Sequence, residues 1–178
     1  MKLSTTAACL TAFAAIIGLS GCAAGASGST GELARTKSPT QLVRNEAAQR
    51  LMTGTDETVA EQRDYSEACK SKADDPTGLY RSWRSTLLAV VPEDSAVGVD
   101  QFVGELATSF SEDGWVFKED NSEANAKVTT LTRSDSIVTV TLTSTEETGQ
   151  GGSVLIEASG PCVLTDGPNS AEVRDLES

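Results

Sequence analysis

A chain of 178 residues allows one domain once its two ends are set aside. It carries 14 Lys and Arg against 26 Asp and Glu, has no histidine, and holds a formal net charge of −12. That balance argues against nucleic acid, because no basic patch could neutralise a row of phosphates. It argues equally against electrostatic docking on anionic head groups, and leaves solubility or a face for a basic partner as the uses of the charge.

Met1 and Lys2 form a short positive start, and Ala7 to Leu19 is an apolar run broken only by Thr11 and Gly18. Its length suits the core of an export signal and is too short to span a bilayer comfortably. The run ends in Leu19-Ser20-Gly21-Cys22, a tetrad that resembles a bacterial lipobox. The resemblance implies a diacylglycerol on the Cys22 thiol and cleavage between Gly21 and Cys22. Ser20 and Gly21 are small enough for a narrow cleavage site, and Leu19 fills an apolar subsite. An ordinary secretory signal, cut at an Ala or Gly near residues 21 to 26, is the alternative. Loss of Lys2 would leave 13 basic residues against 26 acidic ones. The expected address is the extracytoplasmic face of the cell membrane, reached through the N-terminal lipid. Two acyl chains, at about 0.8 kcal/mol per buried methylene, anchor durably where one does not.

Cys9 would leave with the signal and Cys22 would be taken by lipid, so Cys69 and Cys162 remain. Export places them in an oxidising setting, where the expectation is a single disulfide. Closing that 94-residue loop is worth roughly 4–5 kcal/mol in the chain-entropy model. A metal or thiol-redox role is the competing reading, but there is no Cys-x-x-Cys and no histidine beside them.

Residues 22–38 are mostly small and polar and read as a flexible tether after the 1–21 signal. Ser38-Pro39-Thr40-Gln41 has the form of a capping box with proline at the first helical position. Leu42, Val43, Ala47, Leu51 and Met52 follow at helical spacing, with Gly54 as the stop. Residues 55–68 fit neither period and stay open between helix and extended chain. Residues 73–78 are a loop. Leu79 to Val91 reads as a strand ended by Pro92-Glu93-Asp94. Val99, Phe102, Val103, Leu106 and Phe110 mark a helix burying one face, with Gly114 as its C′ residue.

Four strands are expected after it, over 115–119, 128–133, 136–143 and 153–159. Ser134-Asp135 is short enough for a tight hairpin, and 146–152 links the last pair. Short links imply antiparallel neighbours, and one-sided alternation implies helices on the other face. The expected fold class is α+β: a two-layer domain over 39–163, with an antiparallel sheet of about five strands and helices packed on one face. Residues 164–178 read as a frayed acidic tail. Gly114-Trp115 and Gly160-Pro161-Cys162 give residues 65–163 a likeness to the small secreted lipoproteins common in actinobacteria. The resemblance implies this fold and assigns no activity.

Chemistry is sparse. Without histidine there is no Ser-His or Cys-His pair, and no Gly-x-Ser-x-Gly, P-loop or zinc-protease helix occurs. Gly149-Gln150-Gly151-Gly152 sits between two strands and reads as a hairpin turn. The carboxylate pairs Asp74-Asp75, Glu93-Asp94, Glu112-Asp113 and Glu119-Asp120 read as solvated, since a glycosidase pair needs two carboxylates set across a cleft. Residues 119–125 are oxygen-rich but lack the alternating ligands and glycine of a calcium loop. Trp83 and Trp115 are candidates for a ligand groove, although aromatics at these periods are more often core. The expectation is a non-enzymatic envelope domain, without cofactor or metal, that binds an envelope protein or wall component. The alternative is a small-molecule or lipid carrier with a pocket between the 99–110 helix and the sheet, lined by residues such as Leu88 and Val140.

Overall fold

The computed structural model describes residues 31–51, 58–123, 126–147 and 151–178. The expected signal, lipobox and Cys22 lie outside the described residues, as do Met52, Gly54 and Gly149-Gln150. Among the described residues the chain forms α1 (Glu32–Leu51), β1 (Thr58–Ala68), β2 (Tyr80–Val91), α2 (Val99–Glu112), β3 (Val116–Glu123) and β4 (Ala126–Thr132). It continues through β5 (Thr139–Glu147), β6 (Gly151–Ser159), β7 (Val163–Leu164) and α3 (Ala171–Glu177).

All strands join one antiparallel sheet in the order β1-β2-β6-β5-β4-β3, with β7 pairing β2. The fold is thus α+β with helices on one face, but the sheet has seven strands where about five were expected. Two additions account for this. The undecided 55–68 segment contains β1, whose pattern carries no clear alternation because it is an edge strand, exposed at most positions. The short β7 resumes the line of β6 after the Gly160-Pro161-Cys162 turn: β2 pairs β6 over 84–91 and β7 over 80–81.

The core lies between the sheet and the helices. Leu87, Ala89 and Val91 of β2, Val140 and Leu142 of β5, and Val154, Ile156 and Ala158 of β6 meet Phe102, Val103, Leu106 and Phe110 of α2 and Val43, Ala47 and Ala48 of α1. Helix α2 forms as its periodicity predicts. Gly114 takes φ +83°, its N–H reaches the Ser111 carbonyl, and the Trp115 N–H reaches that of Phe110; this is the Schellman stop. It also sets the Trp115 ring edge-on to Phe110, centroids 5.6 Å apart.

Three expectations are corrected. The tether does not run to residue 38: α1 starts at Glu32 and Pro39 lies inside it. An interior proline removes a helical hydrogen bond at a cost of about 3 kcal/mol, yet Leu33, six residues before it, is fully buried against Trp83 and Val173. That burial holds the two turns that the capping-box reading left out. Thr36 lies so close to Gly160 that a Cβ there would stand 2.7 Å from the Thr36 Cβ.

The second correction is the C-terminal segment. Residues 164–178 are ordered into β7 and α3, with Val173 buried and Ser170 capping α3 by accepting from the Val173 N–H. The third is the expected two-residue hairpin at Ser134-Asp135. β4 ends at Thr132 and β5 begins at Thr139, so the link is wider; it turns through a Ser136 N–H to Arg133 carbonyl bond. The Cys69–Cys162 disulfide is present, with Cα atoms 5.7 Å apart. It joins the end of β1 to the turn before β7.

Candidate functional site

The packing of all three helices on one side leaves the other face of the sheet uncovered among the described residues. Strand alternation sorts the side chains: Leu87 and Ile156 point to the helices, Leu88, Leu155 and their even-spaced neighbours away from them. Register then sets rows across the open face. One row runs Glu61, Leu88, Leu155, Thr143, Val128; the next runs Arg63, Thr86, Glu157, Thr141, Thr130; a third runs Tyr65, Arg84, Ser159, Thr139, Thr132, Val116. Threonines dominate the β4–β5 half. Charge and an aromatic ring gather on the β1–β2–β6 half.

A groove of about 510 Å³ lies on that second half, lined by Glu61, Arg63, Asp64, Tyr65, Thr86, Leu88 and Leu155. Its floor is apolar where Leu88 and Leu155 pair across β2 and β6. Its rim is ionic. Arg84 sits between two carboxylates, its Nε 2.7 Å from Glu67 Oε2 and its Nη1 against Glu157 Oε1, and the Ser159 hydroxyl donates to the same Glu157 oxygen at 3.0 Å. Arg63 pairs with Glu61 at 2.5 Å. Partial burial raises the pKa of the Tyr65 phenol above its ordinary value, and the Glu157 and Glu67 charges raise it further, against the opposing pull of Arg84 and Arg63. Three carboxylates, Glu61, Glu67 and Glu157, thus stand with two guanidinium groups at and beside the groove.

A second polar cluster sits on the helix side. Asp64 accepts from Ser85 Oγ at 2.5 Å and from Arg44 at 3.3 Å, and Ser85 Oγ is 3.0 Å from Thr40 Oγ1. Ser85 and Thr40 are fully buried, so this network ties α1 to β1 and β2. Among the described residues, no three of His, Cys, Asp and Glu converge as metal ligands.

The sequence-derived candidates fall differently. Cys69 and Cys162 are joined, as expected. Gly21 and Cys22 lie outside the described residues. Trp83 and Trp115 do not line a groove: they are 0% and 2% exposed and belong to separate clusters, Trp83 with Leu33 and Val173, Trp115 with the main core. The 99–110 helix packs on the sheet through buried side chains, Val140 among them, while Leu88 lies on the opposite face. Of the acidic pairs, Asp75 turns inward and accepts from the Tyr80 N–H at 2.7 Å. Asp74, Glu93, Asp94, Glu112 and Asp113 are exposed, and the side chains of Glu119 and Asp120 lie outside those described.

No sequence motif marks the groove or the ionic cluster beside it. Tyr65 stood in the undecided segment, and Arg84 and Glu157 are far apart in the chain. The available signal was their parity: charges at positions of β2 and β6 that alternate with apolar inward residues. No family model matches the chain, and neither a curated protein nor a solved structure does.

Proposed function

We propose that this chain is a cell-envelope lipoprotein, anchored through Cys22, whose domain acts as a non-enzymatic interaction module for an envelope protein or wall component. The observation that supports the interaction role is the uncovered sheet face with its groove of about 510 Å³. A face of this kind is readily left in water when it is rich in hydroxyl groups. Anchoring rests on Leu19-Ser20-Gly21-Cys22. No helix among the described residues is long and apolar enough to cross a membrane.

With α1 beginning at Glu32, nine residues separate Cys22 from the folded domain. Nine residues reach at most about 30 Å when fully extended, so the domain would stay close to the bilayer. The end bearing Gly31 and α3, linked by the Gly31 N–H to Glu172 bond of 3.0 Å, would be proximal. The β2–α2 loop, the β5–β6 hairpin and much of the open face would point outward.

Cys22→Ala should release the protein from the membrane fraction and abolish acyl-lipid labelling. Photo-crosslinkers at Thr141 and Leu155 should capture a defined envelope component in living cells, whereas one at Gln101, on the exposed side of α2, should not. Lipid-labelled protein persisting in the Cys22→Ala strain, or equal capture from all three positions, would overturn the proposal.

A further inference from the structure

Strand β1 forms one edge of the sheet, and its outward backbone groups are treated unequally along its length. Near the disulfide the edge is closed. The Ser66 N–H donates to Glu177 Oε1 at 2.8 Å, and the Ser66 carbonyl accepts from Arg81 Nη2 at 2.6 Å. Two observations show which residues face outward: the Arg63 carbonyl points to β2, where the Thr86 hydroxyl donates to it at 3.5 Å, and Trp83, the partner of Ser66, turns its carbonyl to Gly160 instead. Register is unbroken from Glu61 to Ala68, so the alternation of an antiparallel ladder sends the N–H and C=O groups of Gln62 and Asp64 outward as well. Among the described residues, none pairs with them.

The open stretch borders the groove. Glu61, Arg63 and Tyr65 alternate with Gln62 and Asp64 and stand on the groove side of β1. Both guanidinium groups there are engaged, Arg63 by Glu61 and Arg84 by Glu67 and Glu157, so carboxylates outnumber cations around the opening. The whole chain, at −12, adds long-range attraction for a cation.

We propose that an extended, basic polypeptide segment adds to the sheet along β1 at Gln62–Asp64 and lays its lysine or arginine side chains across the groove. Main-chain hydrogen bonds to Gln62 and Asp64 supply affinity, and alternate side chains supply selectivity. The aliphatic stem of a basic residue covers Leu88, and its charged head meets Glu61 and Glu157. A second copy of the chain is the poorer occupant. It brings its own −12 charge, and the irregularity between Val59 and Glu61 breaks the straight pairing that two identical edges need. This inference rests on the interaction reading above and names the chemistry of the partner.

The test uses full-length protein in detergent and a fluorescein-labelled octapeptide of alternating Lys and Val. Anisotropy should show binding that weakens at least tenfold when Glu replaces Lys in the peptide. Hydrogen exchange should show new protection over residues 60–65. Gln62→Pro deletes only an outward N–H, a change that edge strands tolerate, and should also weaken binding tenfold or more. Glu61→Lys, at an exposed site, should shift preference toward the Glu–Val peptide, and keeps the question answerable if Gln62→Pro does not fold. Equal binding of both peptides, unchanged binding by folded Gln62→Pro, or protection of 60–65 that depends on protein concentration instead of peptide would overturn the inference; the last would assign the edge to a second copy. Crosslinks from the open face combined with no peptide binding would defeat this inference alone. Absence of those crosslinks would defeat the broader proposal.

Discussion

Glu177, in the last turn of α3, accepts hydrogen bonds from both the backbone N–H and the hydroxyl of Ser66, at 2.8 and 2.7 Å. One carboxylate thereby closes part of an exposed sheet edge and fastens the last helix to β1. Ser66 Oγ also accepts from Arg81 Nε at 2.9 Å, so the three side chains form one chain of charge-assisted bonds. Glu177→Ala should destabilise the fold by about 1.5–3 kcal/mol, the range for hydrogen bonds to a charged group. Urea unfolding reads this as a lower midpoint with an unchanged slope; an unmoved midpoint would make the contact energetically idle.

The disulfide holds the same corner. Cys69 follows β1 and Cys162 precedes β7, 93 positions later. Thiol counting on the denatured, unreduced mature protein should find neither Cys69 nor Cys162 free. Replacing both cysteines with alanine should lower stability by about 2–4 kcal/mol, mainly through the larger freedom of the unfolded chain. A variant as stable as the parent would show that the core alone sets the corner.

Gly160 is where α1 meets the end of β6. A Cβ at this position would stand 2.7 Å from the Cβ and 3.1 Å from the hydroxyl of Thr36. Thr36 is buried and its hydroxyl donates to the Leu33 carbonyl at 2.7 Å, so it has little room to yield. Gly160→Ala should cost about 1–3 kcal/mol, as overpacking does. Thermal unfolding should read this as a lowered midpoint; an unchanged midpoint would show that α1 yields at this contact.

Asp75 makes the loop before β2 sensitive to acid. Its carboxylate accepts from the Tyr80 N–H at 2.7 Å and from Thr77 Oγ1 at 3.4 Å. The backbone bond from Tyr80 is the main cause holding its pKa below the ordinary 3.8. A lowered folded-state pKa contributes stability that is complete above the unfolded value and is lost as pH falls through the folded one. The protein should therefore lose a component of stability below about pH 3.8, and Asp75→Asn should be less sensitive over the same range. Parallel acid-unfolding profiles for the two proteins would contradict this assignment.

Some of this molecule could be read from neighbours in sequence. The 3.6-residue spacing of Val99, Phe102, Val103, Leu106 and Phe110 specifies α2, Gly114 ends it, and the alternation of Val138, Val140 and Leu142 marks which side of β5 is inward. The pairing of Cys69 with Cys162 followed from counting thiols, given the reading of Cys22. Each of these signals lies within a turn, a strand or a composition, so no distant contact is needed to express it.

The remainder depends on residues far apart. Leu33 extends α1 through Pro39 only because Trp83 and Val173 receive it. Ser66 and Glu177, 111 positions apart, order both the edge strand and a tail that is polar enough to look unfolded. β2 lies between β1 and β6 because the chain crosses through α2 and returns as a meander, and that placement assembles the groove from Tyr65, Leu88 and Leu155. Local sequence thus determined which segments are helical or extended and which faces are apolar. The sheet order, the packed ends and the groove were decided by tertiary burial, which is strong enough to override local preference and has no sequence period of its own.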